Sequence, residues 1–81
     1  MTEFPVPQVE LDCREQRCPL PIIELGKHLG ELAVGEVIAV ATPDVAARTD
    51  VPAWCRMRGQ EYVGESLAAD GTPLFLVRRL T

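Results

Sequence analysis

The rhythm of apolar and polar positions changes several times along this chain, and each rhythm predicts an element. Val9, Leu11 and Cys13 alternate with Glu10 and Asp12, the period-two pattern of a strand with one buried face. Residues 14–17 are polar and read as a short loop. Pro19 suits the first position of a helix, because its φ is already fixed and its missing N–H has no partner to lose there. Pro21 still falls in the first turn, where it is tolerated. Ile22, Leu25 and Leu29 follow at i, i+3 and i+7, one face of that helix, with Gly30 as its expected stop.

Gly35 and Glu36 mark a turn into Val37–Ala41, an unbroken apolar run that fits a central strand covered on both faces. Asp44 is a good cap for a second helical stretch. Pro52 breaks a helix interior, so Asp50 is read as a fresh cap and the stretch as bent or split near position 50. Val51, Trp54, Cys55 and Arg58 share one face of it, and Gly59 ends it. Residues 60–67 and 74–80 read as two strands joined as a hairpin by a loop that contains Asp70-Gly71. Residues 1–7, with Pro5 and Pro7, are expected to be a flexible leader and residues 8–81 a single domain. The element order is βαβαββ. Its first two strands require a parallel crossover and its last two pair antiparallel. The expected fold is an α/β two-layer sandwich of the α+β kind: a four-stranded mixed sheet with two helices on one face.

Composition narrows what such a fold can do. Apolar residues make up 47% of the 81 positions but aromatic ones only 5%, so the core must be built from Val, Leu, Ile and Ala. That argues against a deep aromatic-lined metabolite pocket and places any chemistry at the surface. The same apolar residues are assigned to one small core, which predicts a monomer in dilute solution. The formal charge of 8 − 12 = −4 opposes general attraction to nucleic acid. No apolar run is long enough for a membrane span, and the first five residues lack the basic and apolar regions of a signal peptide. The cytoplasm is the expected compartment, where three cysteines remain thiols rather than a disulfide framework.

Chemistry concentrates in Cys18-Pro19-Leu20-Pro21. Cys18 is read at the N-cap of the helix that Pro19 opens, facing free N–H groups and the positive end of the helix dipole. Ser, Thr, Asp or Asn would cap better, so a Cys there gives up stability for its thiol. The dipole is worth about 0.3–1 kcal/mol to an anion, and ~2 if partly buried, which lowers a thiol pKa by roughly 0.2–1.5 from about 8.5. Arg17 pushes the same way and Glu15 opposes it. A modest fraction of thiolate follows, enough to accept sulfur. His28 lies ten residues further along the helix, so a Cys/His hydrolytic dyad does not fit. Cys13, Cys18, Cys55 and His28 match no standard zinc spacing, and C-x-x-C is not present. No metal and no cofactor are expected. Cys13 and Cys55 occupy apolar faces and read as small buried hydrophobes, and Trp54 as packing.

Taken together, Leu11-Asp12 … Arg17-Cys18-Pro19-Leu20-Pro21, then Gly35-Glu36, then Asp44 through Asp50-Val51-Pro52 and Trp54, resemble the TusA-like sulfur carriers, also known as SirA and YedF. The likeness runs from Leu11 to the end of the chain. Two positions depart from it: Glu15 stands where the family usually has Gly, and Val45 where it usually has Pro. The resemblance implies a two-layer sandwich whose Cys18, supported by Arg17, Pro19 and Pro21, carries sulfur as a persulfide. The donor would be a cysteine desulfurase or similar protein, and the acceptor another protein in tRNA thiolation, molybdenum-cofactor or other sulfur trafficking. Two other classes compete with this: a redox-sensing regulatory module, and an RNA-binding domain using the arginines of the last third.

Overall fold

The computed structural model describes residues 5–15 and 20–81. Strands β1 (Val9–Asp12), β2 (Val37–Ala41), β3 (Glu61–Leu67) and β4 (Pro73–Arg78) form one sheet in the order β1-β2-β4-β3. β1 and β2 run parallel with Leu11 opposite Val40, while β4 runs antiparallel to both β2 and β3. The parallel pair is joined by helix α1 (Leu20–His28) and a 3₁₀ turn at Leu29–Glu31, the crossover that parallel strands require. Helix α2 (Ala47–Arg58) follows β2. The expected sandwich and its βαβαββ order are what the chain forms.

Alternation along the strands sends two sets of side chains to opposite faces. Ile38, Val40, Phe75 and Val77 meet Leu25 of α1 and Val51, Trp54 and Cys55 of α2, with Val9, Leu11, Ile22 and Tyr62 packed around them. On the other face, Val37, Ala39, Ala41, Leu74 and Leu76 form a second buried cluster, with Val63 against it. The expectation of one small core is corrected here: a central strand whose residues are all apolar feeds both faces, and β2 is buried at all five positions.

Three boundaries differ from the sequence reading by more than one residue. First, α2 is one helix and is not split at position 50. Its start is wound with i→i−3 bonds, in which Ala47, Arg48 and Thr49 N–H donate to the Asp44, Val45 and Ala46 carbonyls. Asp50 N–H then donates to the Ala46 carbonyl, so Asp50 lies inside the helix, whose N-cap position is Ala46 with no side-chain cap, while Asp44 Oδ1 accepts from Ala46 N–H at 3.0 Å in the turn that leads into it. Pro52 removes one N–H from the early turns, a loss the continuing helix absorbs. Second, α1 gives way at Leu29 to a 3₁₀ turn that contains Gly30, so Gly30 is no C-terminal cap. Third, β4 starts at Pro73 and ends at Arg78.

Gly59 does end α2. It sits at φ 72°, and the N–H groups of Gly59 and Gln60 both reach back to the Cys55 carbonyl. Of the expected leader, residues 5–7 carry no regular structure, and residues 1–4 lie outside the described residues.

Candidate functional site

Parallel pairing brings the ends of β1 and β2 together, and both chains turn there toward their helices. Cys13 N–H donates to the Ala41 carbonyl at 2.9 Å, one ladder bond beyond the last pair. Thr42 is fully buried at this end of β2, and its Oγ1 accepts from Asp44 N–H at 3.1 Å. The linker from β1 to α1 therefore rises from the carboxyl edge of the parallel strands, where open α/β sheets place their sites.

Gln16, Arg17, Cys18 and Pro19 lie outside the described residues, so Cys18, Arg17 and Pro19 of the expected site have no placement here. The fourth member, Pro21, is the second residue of α1 and is buried. Leu20, just before it, is 48% exposed at the helix start, and Ile23 is 47% exposed one turn on. Ile23, Gly26, Trp54 and Met57 line an open groove between the two helices, with Lys27 and Arg58 beside them. Arg58 lies 5.8 Å from the centre of the Trp54 ring.

The other two thiols are enclosed. Cys13 and Cys55 are each 1% exposed within the helix-side core. Burial pushes the Cys13 thiol up, with Glu24 and Asp12 adding to the effect. Burial pushes Cys55 up to about 11 against a small opposing pull from Arg56. At both positions burial disfavours the thiolate, the form that reacts. His28 ends α1, about 12 Å along the axis from Leu20 at 1.5 Å per residue. Its ring nitrogens face Glu24 at 3.4 Å and Glu31 at 3.0 Å. Among the described residues no three His, Cys, Asp or Glu side chains come together as a metal site.

Near the linker, sequence reasoning missed Asp70, which it took only as a turn residue. The Arg14 guanidinium forks onto Asp70, with Nε donating to Oδ2 at 2.9 Å and Nη2 to Oδ1 at 3.3 Å. Its Nη1 stands 3.0 Å from Asp12 Oδ1, which also accepts from Arg14 N–H. The guanidinium and the Thr72 N–H hold the Asp70 carboxyl well below the usual carboxylate range. The Arg14 N–H, then its side chain, lowers Asp12. No local pattern signals a contact between residues 56 positions apart.

The profile of a family described as "Sulfurtransferase TusA" matches residues 9–79. A sulfur carrier protein TusA of Pseudomonas entomophila is 39% identical over 69 residues, covering 85% of each chain. One from Pseudomonas putida is 34% identical over 79 residues, 98% of this chain and 96% of its own. A putative sulfur carrier protein of Archaeoglobus fulgidus is 35% identical over 69 residues, 85% of this chain and 90% of its own. In fold, a SirA-like protein of Desulfitobacterium hafniense superposes with a TM-score of 0.76 at 21% identity, covering 91% of this chain and 100% of its own.

Proposed function

The chain belongs to the TusA family and is a sulfur carrier, and from that premise we propose that the sulfur of Cys18 is the atom that is loaded and unloaded. The observation that supports this is the state of the other two thiols. Cys13 and Cys55 are buried, and their pKa values are raised by that burial, which leaves Cys18 as the cysteine fit to react. Its segment, Arg17-Cys18-Pro19-Leu20-Pro21, leads directly into α1.

In the proposed step, the Cys18 thiolate attacks the outer sulfur of a donor's persulfide. A new S–S bond forms on Cys18, the donor's S–S bond breaks, and the donor leaves as a thiolate. The acceptor's thiolate reverses these roles, so no net oxidant is needed. The donor is a cysteine desulfurase or a protein of the same chemistry, the compartment is the cytoplasm, and the carrier works as a monomer. Arg17 beside Cys18 favours the thiolate, and Pro19 and Pro21 stiffen the helix start. Exposed Leu20 and Ile23, close in the chain to Cys18, and exposed Met57 of α2 offer partners apolar surface.

The RNA-binding reading loses support from the arginines themselves. Arg78 pairs with Glu61, Arg48 with Glu65, and Arg79 donates to the Leu32 and Thr81 carbonyls. Of the four arginines in the last third, Arg78 and Arg79 are thus engaged within the chain, which lowers the positive charge they offer to phosphates.

Incubation with a cysteine desulfurase and cysteine, read by intact mass, tests the assignment. Wild type, Cys13→Ala and Cys55→Ala are expected to gain one sulfur and Cys18→Ser none. Loading of Cys18→Ser, or its loss in a folded Cys13→Ala or Cys55→Ala, refutes it.

A further inference from the structure

One glycine of α1 has no backbone reason to be a glycine. Gly26 lies inside Leu20–His28 and is not among the glycines with positive φ, so any L residue can adopt its conformation. Packing does not require it either. A Cβ built at Gly26 meets Trp54 Cζ2 at 3.9 Å, an ordinary contact, and none closer. Glycine is the poorest helix former after proline, so this position gives up stability with no return inside the chain. What the missing side chain leaves is open space.

That space belongs to the groove between α1 and α2, whose volume is about 470 Å³. Ile22, Ile23, Trp54 and Met57 line it together with Gly26. Ile23 and Met57 are 47% and 74% exposed, so the groove offers bare apolar surface to a partner. Its remaining lining residues are cations, Lys27 and Arg58. Arg58 stands over the Trp54 ring and joins none of the ion pairs formed among the described residues. Lys27 meets only Glu24, at 3.8 Å. On a chain of net charge −4 this cationic rim is a local exception, and it is complementary to an acidic surface.

We propose that the α1–α2 groove is the docking site of the sulfur donor, with an apolar side chain of the donor seated over Gly26 and donor carboxylates against Lys27 and Arg58. This rests on the sulfur-carrier reading for there being a donor, and it needs no placement of Cys18. Gly26 then determines specificity: a larger side chain there fills the space that the donor's side chain takes.

Calorimetric binding of a cysteine desulfurase tests this, with Cys18→Ser as the parent so that no sulfur moves. Gly26→Ala, Gly26→Leu and Arg58→Glu are compared in that parent with Gly30→Ala, which has equally open space but lies outside the groove. Both alanine variants should raise the thermal midpoint. Their binding should differ: Gly30→Ala leaves Kd unchanged, whereas Gly26→Ala weakens it about threefold and Gly26→Leu about tenfold or more. Arg58→Glu should weaken it about tenfold and flatten its salt dependence. Unchanged binding by Gly26→Leu, equal weakening by Gly30→Ala, tighter binding by Arg58→Glu, or no binding by the parent would overturn the proposal. Self-association of the parent that Gly26→Leu abolishes would overturn it as well, by giving the groove to a second copy. If Gly26→Leu does not fold, the two alanine variants decide. Sulfur found on a residue other than Cys18 in wild type would overturn the thiol assignment alone and leave the docking result standing.

Discussion

Cys55 shows how one residue's surroundings set both its reactivity and its share of stability. In the folded chain its thiol is pushed up to about 11 by burial, whereas the unfolded thiol titrates near its ordinary value. Between those values the unfolded state gives up its proton and the folded state keeps it. Stability must therefore fall as pH rises from about 8.5 toward 11. Below the unfolded pKa the full contribution is present. Urea titrations from pH 7 to 11 should show this decline in wild type, with a shallower one in Cys55→Ala. That variant should also start about 1 kcal/mol lower at pH 7 from the lost packing. Equal slopes in the two proteins would mean that Cys55 is not the group responsible.

At the scale of elements, the two helices end by different means, and glycine separates them. Gly59 closes α2 in the left-handed region, where any Cβ is strained even though nothing stands within 4 Å of one. Gly30 sits in the 3₁₀ turn after α1, is not among the positive-φ glycines, and also has open space around a Cβ. The same substitution should therefore take opposite signs. Gly59→Ala is expected to lose about 1–2 kcal/mol and Gly30→Ala to gain about 0.4–1 kcal/mol. Thermal midpoints moving in the same direction would contradict this account. The sequence rule that glycine follows a helix selected both residues, and only backbone conformation tells them apart.

Over the whole molecule, the sheet is buried on both sides although the helices lie on one. Leu25 of α1 and Leu76 of β4 belong to the separate clusters and are 0% and 1% exposed. Leu25→Ala and Leu76→Ala should each cost about 2–5 kcal/mol, measured as a shift in the denaturant midpoint. A loss confined to Leu25→Ala would mean that the face away from the helices is open to water. Two further contacts join the layers and edges at this scale: the Arg48 fork on Glu65, which ties α2 to β3, and the Arg14 fork on Asp70.

Periodicity, with proline, glycine and aspartate signals at the turns, determined the elements and their order. Val9, Leu11 and Cys13 turn inward because strands alternate, and Val37–Ala41 is central because an unbroken apolar run needs cover on both faces. The burial of Cys13 and Cys55 was legible from the same spacing, and with it the singling out of Cys18. Tertiary structure decided what depends on residues far apart in the chain. Pro52 and Asp50 argue locally for a break, yet the turn at residues 44–46 starts the helix early enough to run through both. The second apolar cluster exists because β2 and β4 pair in a register that places Ala39 opposite Leu76 and Ala41 opposite Leu74. Asp70 meets Arg14 because the hairpin folds back to the end of β1. A local pattern records which face a residue shows, but the partner on that face is set by the packing of the chain as a whole.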